Sequence, residues 1–200
     1  MALSNDKKAM LRTHAAAGDL YAMEALSLEA TGRAGLVSLG AVAAKSATGV
    51  HAAVLATSAI TPVTTGISNP ATPRNVSAVA AATWDGGNLV VHGTDQFGGA
   101  VSETITVVAN ATTYGVKIFK TITSFNHTAV GCKAVGCSVG TGDKIGLAFD
   151  AIDSMGMGLM QATPGAACTP EAVTVDPTYN AATFTTVPDG TKVLSLLANV

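Results

Sequence analysis

From Arg74 onward the chain reads as short runs of Val, Ile, Thr and Phe broken by turn residues. The runs are Arg74–Ala82, Asn88–Gly93, Val101–Val108, Lys117–Phe125, Ala134–Val139, Ala172–Asp176, Ala181–Val187 and Lys192–Ala198. β-Branched and aromatic side chains suit a pleated surface, so each run predicts a strand. In Ala172–Asp176, Val173 and Val175 alternate with Ala172, Thr174 and Asp176, the period-two pattern of a strand with one wet face. The last run differs: Val193 and Leu197 fall on one side, Leu194 and Leu196 on the other, which predicts a strand covered on both faces. Asp85-Gly86-Gly87-Asn88 predicts a hairpin turn, and Gly98-Gly99 repeats the signal one strand later. Gly140-Thr141-Gly142-Asp143 and Pro188-Asp189-Gly190 read as two more turns. Short strands with turns between them predict an antiparallel β-sandwich rather than alternating βαβ units.

The first part of the chain has a different period. Ser4 can cap a helix, Asp6 sits where the helix dipole favours an acid, and Met10, Leu11 and His14 share a face before Gly18. Leu20–Ala30 is rich in good helix formers and ends at Gly32 and Gly35. The Gly/Ala/Ser stretch Gly32–Gly49 has weak periodicity and reads as an extended arm. The expected division is a helical segment and arm over 1–49 and a β-sandwich domain over 50–200.

Composition narrows the function classes. In 200 residues only 12% are charged, the formal net charge is -2, and the Lys and Arg residues are scattered, so no nucleic-acid footprint is present. Aromatics are 4% with a single tryptophan, Trp84, so the core must come from small and β-branched side chains. A sparsely charged surface is one that tends to lie against other subunits. The most apolar stretch, Ala34–Val63, is interrupted by Lys45, His51 and several Gly and Ser/Thr, so no membrane span is expected. The charged start, Asn5-Asp6-Lys7-Lys8, argues against a cleaved export signal.

No side-chain constellation reaches the strength of a catalytic, cofactor or metal motif. His14, His51, His92 and His127 each lack a Cys or carboxylate at ligand or triad spacing and read as solvated or hydrogen-bonded structural residues. Cys132 and Cys137 could bridge only across a tight reversal, and with Cys168 they lack zinc spacing, so all three read as buried thiols. Gly140-x-Gly142-Asp143-Lys144 departs from a phosphate loop because Asp precedes the Lys and no Ser/Thr follows. Asp143, Asp150 and Asp153 lack the spacing of a calcium loop. Glu103 is the one acid inside a strong strand and has no evident carboxylate partner, which argues against glycoside hydrolysis. Asn75, Asn110 and Asn126 open chance glycosylation sequons.

Five ordered blocks carry a resemblance. They are Pro73-Arg74-Asn75-Val76, Val91-His92-Gly93-Thr94-Asp95-Gln96-Phe97-Gly98, Glu103-Thr104-Ile105-Thr106, Phe119-Lys120-Thr121-Ile122-Thr123-Ser124 and Val139-Gly140-Thr141-Gly142-Asp143-Lys144-Ile145-Gly146-Leu147. Together they resemble a β-rich family of tailed-bacteriophage virion proteins over residues 50–149, with a weaker match at Val187–Lys192. The resemblance implies an Ig-like or jelly-roll-like sandwich and a capsid cement or decoration role rather than an enzyme. It also implies the major capsid protein as partner and the capsid surface as location, after synthesis in the host cytoplasm. The two-sided apolar run Val193–Ala198 together with the sparse surface charge predicts that the chain assembles, as a homotrimer. A tail-associated or receptor-binding adhesion module is the alternative.

Overall fold

A computed structural model of the chain describes residues 34–55, 61–84, 86–129, 136–148, 157–161 and 166–199. Twelve strands run through them: β1 (Ala34–Ala41), β2 (Ser46–Leu55), β3 (Arg74–Ala80), β4 (Gly87–Thr94), β5 (Ala100–Thr106), β6 (Thr112–Phe119), β7 (Thr121–Ala129), β8 (Gly136–Gly146), β9 (Met157–Gln161), β10 (Cys168–Asp176), β11 (Ala181–Phe184) and β12 (Val193–Asn199). The pairings are antiparallel, and the described residues contain no helix. The protein is mainly β, as the patterning predicts. The helical segment expected over 4–30 lies outside the described residues. No helix among the described residues is long and apolar enough to cross a membrane.

The chain divides into two compact units, Lys45–Ala148 and a flanking unit from Met1–Ala44 and Phe149–Val200, whereas the sequence placed one boundary at 49/50. Within the expected arm over Gly32–Gly49, Ala34–Ala41 and the residues from Ser46 on are strand. β1 pairs with β12, with Ala34 opposite Asn199 and Ala41 opposite Val193 and a bulge between Ser38 and Gly40.

In the flanking unit the strand order is β1-β12-β9-β10-β11. β12 lies between β1 and β9, with Leu194 and Leu196 fully or nearly fully buried and Ser195 buried on the opposite face. The two-sided pattern of the last run therefore marks a central strand. On β10, Val173 is buried between exposed Ala172 and Thr174, the alternation the sequence shows. The Pro188-Asp189-Gly190 turn forms: Asp189 Oδ1 accepts from the N–H groups of Thr191 and Lys192, each at 2.9 Å, and Gly190 takes φ 84°. These bonds hold the Asp189 carboxyl well below the usual carboxylate range.

Within Lys45–Ala148, β2-β8-β3-β6 form one sheet and β5-β4-β7 another. Val76 and Ala78 of β3, Val139 of β8, Phe119 of β6, Leu89 and Val91 of β4, Ile105 of β5 and Phe125 of β7 pack into one core. Burying each large member contributes about 1.5–3 kcal/mol. Three expectations are corrected here. Lys117–Phe125 is not one strand: it breaks at Lys120, whose N–H donates to Thr94 O at 2.8 Å while the chain passes from one sheet to the other. Asp85–Asn88 does not close a hairpin, because β3 and β4 lie in different sheets. Gly86 and Gly87, at φ 105° and 120°, instead turn the chain between sheets. Gly140–Asp143 is not a turn but the middle of β8.

The start of this unit is tied to the middle of β8, where Ser46 pairs with Thr141 and its N–H donates to Thr141 Oγ1 at 3.1 Å. Produced alone, Lys45–Ala148 is expected to give a β-type far-UV spectrum and a cooperative urea transition. A chain that stays unfolded refutes the assignment of a self-contained core.

Candidate functional site

Polar chemistry inside Lys45–Ala148 concentrates around β3. Its two neighbours are both bulged there. On β8, Gly142, Asp143 and Lys144 stand opposite Asn75 alone, between the pairs Val76–Thr141 and Arg74–Ile145. On β6, Gly115, Val116 and Lys117 stand opposite Val76 alone, between Ser77–Tyr114 and Asn75–Ile118. Bulges take backbone groups out of the ladder, and such groups must be satisfied when buried. Asn75, 4% exposed, does this on both sides. Its Nδ2 donates to Gly115 O at 2.8 Å, and its Oδ1 accepts from Lys144 N–H at 3.0 Å. At neutral pH only a carboxamide offers a donor and an acceptor on one fork of this size, since a carboxylate there only accepts.

Glu103 completes the arrangement from the other sheet. It is buried on β5, and its Oε1 accepts from the N–H groups of Val116 at 2.6 Å and Lys117 at 3.2 Å. Lys117 Nζ donates in turn to Ser102 O at 2.7 Å. The carboxylate thus occupies the N–H groups that the bulge turns out of the edge strand β6. The glycines are required for close approach. A Cβ at Gly115 would overlap the Glu103 carboxylate, one at Gly142 the Asn75 carboxamide, and one at Gly140 the backbone oxygen of Ser46.

Asp143, beside this hub, binds Lys45 Nζ through Oδ2 at 2.7 Å, and the same ammonium lies 5.6 Å from the Tyr114 ring centre. The hydrogen bond and charge of Asp143 raise the Lys45 pKa. Burial lowers the pKa of neighbouring Arg74, an effect Asp143 opposes. At the other end of the unit, the β4–β5 hairpin closes through Asp95, whose Oδ1 accepts from Phe97 N–H at 2.9 Å and Gly99 N–H at 2.8 Å. Phe97 projects 53% exposed at its tip.

The remaining residues singled out by sequence are dispersed. His92 is exposed on β4, and His51 Nδ1 lies 2.7 Å from Ala52 O. His127 departs from expectation: it is buried with neither ring nitrogen hydrogen-bonded. Cys137 and Cys168 are buried thiols, and Cys168 opens β10. Desolvation pushes the Cys137 thiol up to about 11. His14, Cys132, Asp150 and Asp153 lie outside the described residues. Among the described residues no group of three or more His, Cys, Asp or Glu is placed to share a metal ion. From the residues alone, Asn75 reads as the start of a chance sequon, and Gly140 and Gly142 read as turn residues that depart from a phosphate loop; none reads as part of a buried polar hub. A Gly-x-Gly inside a β run is itself a signal of close backbone approach.

Comparison of the chain with known protein families, curated proteins and solved structures gives no match.

The hub generates a sharp test. Asn75→Ala leaves Gly115 O and Lys144 N–H buried without partners and is expected to cost about 2–4 kcal/mol in urea unfolding. Asn75→Asp at neutral pH adds a charge and loses the donor, so it should destabilise at least as much. Its stability should recover as acid protonates the new carboxyl and restores a donor, with the recovery read relative to wild type across pH. A thiol reagent at pH 8 should leave Cys137 unmodified in the native protein and modify it in urea, since the thiolate is the reactive form.

Proposed function

We propose that this chain is a non-enzymatic structural protein of a tailed-bacteriophage virion, a cement or decoration protein that binds and stabilises the major capsid protein lattice. The observation that carries the reading is where the five resembling blocks fall. They occupy β3, the β4–β5 hairpin, β5, the β6–β7 corner and β8 of the single unit Lys45–Ala148. They include the residues that build it: Asn75, Asp95, Glu103, Lys120, Gly140 and Gly142. A resemblance concentrated on fold-determining positions supports a shared β-sandwich of the Ig-like or jelly-roll-like kind. Glu103, the acid that an enzymatic reading would need, is buried with its Oε1 engaged by two backbone N–H groups.

The proposed partner is the major capsid protein, and the proposed assembly is a homotrimer on the capsid surface, reached after synthesis in the host cytoplasm. Support for a protein partner comes from exposed apolar side chains on a sparsely charged chain: Tyr114 and Val116 on β6, with Val108 and Val187. The two-sided pattern of β12 is accounted for within the chain, where β1 and β9 flank it, so the proposed homotrimer rests on the exposed apolar side chains and the sparse charge.

One observation favours the second reading, a tail-associated or receptor-binding module: Phe97 stands exposed on a turn that Asp95 holds by two side-chain bonds. Quantitative mass spectrometry of purified particles decides between them. A copy number approaching that of the major capsid protein lattice is the expected result. A few copies per particle points to the tail, and absence from particles overturns the virion assignment altogether.

A further inference from the structure

Three buried polar atoms in Lys45–Ala148 lie in one aromatic stack with no hydrogen-bond partner: Nδ1 and Nε2 of His127 and Nε1 of Trp84. His127 is 7% exposed and Trp84 5%. The imidazole meets Phe125 edge-on at 5.7 Å between ring centres and Trp84 at 5.8 Å, and Phe125 meets His51 at 5.3 Å. His51 belongs to β2 of the larger sheet, Phe125 and His127 belong to β7 of the other, and Trp84 lies in the connection between β3 and β4, so the stack crosses from sheet to sheet at the contact of His51 with Phe125.

A neutral imidazole can be held in such a place at the cost of one idle donor and one idle acceptor. An imidazolium brings two donors and a full charge to walls that offer ring edges and faces. Attraction between the cation and the π faces offsets only part of that desolvation. From β2 the stack faces His51, whose positive charge would repel a second one. From β4 it faces Leu89, which pairs with His127 and is apolar, and from the turn after β3 the neutral indole of Trp84. Asp85, next to Trp84, lies outside the described residues. Burial first, and then His51, hold the imidazole pKa below its ordinary value of 6.5.

We propose that the stack of His127 with Phe125 and Trp84, which reaches the larger sheet through the contact of Phe125 with His51, is an acid-sensitive clasp that joins the two sheets while neutral and releases them when His127 takes a proton. This reading is independent of the virion assignment. Its sign follows from linkage: a histidine depressed in the folded state binds protons more readily when unfolded. Its contribution is therefore complete above pH 6.5 and is lost as pH falls from 6.5 toward the folded value.

Trp84, the one tryptophan of the chain, is a built-in reporter beside the titrating ring. The full-length protein is unfolded in urea between pH 7.5 and pH 5 and followed by Trp84 fluorescence and far-UV CD. Between pH 6.5 and the folded pKa, the unfolding constant should rise toward ~10-fold per pH unit for one proton. That rise should be absent over the same interval in His127→Phe. Where that variant does not fold, His127→Gln replaces it, and NMR titration of the imidazole ring protons in the wild type measures the protonation itself. A wild-type unfolding constant unchanged over the range, a His127 that titrates at or above 6.5 in the folded state, or a folded variant at position 127 that keeps the full slope would each overturn the proposal.

Discussion

The carboxamide of Asn75 is the contact on which the geometry of the larger sheet depends. β3 is the strand with bulged neighbours on both sides, and bulges at nearly the same level on β6 and β8 would leave buried backbone groups facing a strand that cannot reach them. One side chain resolves both, donating to Gly115 O and accepting from Lys144 N–H. Because the two bonds use opposite ends of a single planar group, they also set the relative register of two strands that do not pair with each other. Glu103 then fastens the β6 bulge to the second sheet, so the position of the hub passes across the core as well as along the sheet.

The composition of the chain becomes intelligible from this hub. Close approach at Gly115, Gly140 and Gly142 admits no Cβ, and the neighbouring positions are filled by Ser46, Ser77 and Asn75 rather than by large apolar groups. Tight backbone packing substitutes for side-chain bulk in this sheet. A chain with 4% aromatics can therefore still close a core, with its large side chains concentrated at Phe119, Phe125 and Trp84. Such packing is directional: it relies on backbone geometry being right, where an oil-like core would tolerate error.

Strand existence was legible in the sequence because Val, Ile and Thr runs report directly on a pleated, half-buried surface. The two-sided pattern of Val193–Ala198 and the one-sided pattern around Val173 located a central strand and a wet face. What was not legible were features whose cause is long-range. Glycine signals both positive φ and close approach. Gly98 is the first kind, at φ 90°, whereas Gly140 and Gly142 are the second, and only the crossing segments at Ser46 and Asn75 distinguish them. The break at Lys120 has no local breaker residue, and the bond to Thr94 O that accompanies it comes from another strand. β1 was hidden because Ala, Gly, Leu and Ser carry weak β preference, and its partner β12 lies at the far end of the chain.

The two buried polar features of Lys45–Ala148 solve opposite problems, and the difference lies in what surrounds each group. Around Asn75 the backbone supplies a matching acceptor and donor, so burial strengthens both bonds and fixes one arrangement whatever the pH. Around His127 the walls are rings, nothing matches, and the interior is tolerable only while the imidazole stays uncharged. A fold that combines the two is rigid in register and conditional in closure. Strand pairing around β3 is anchored by the Asn75 carboxamide, which has no titrating proton, while the packing of one sheet on the other includes an imidazole, which has one. Loss of closure would therefore begin at the β2–β7 side of the core, where His51, Phe125 and His127 meet, before it reached the strands that Asn75 holds together.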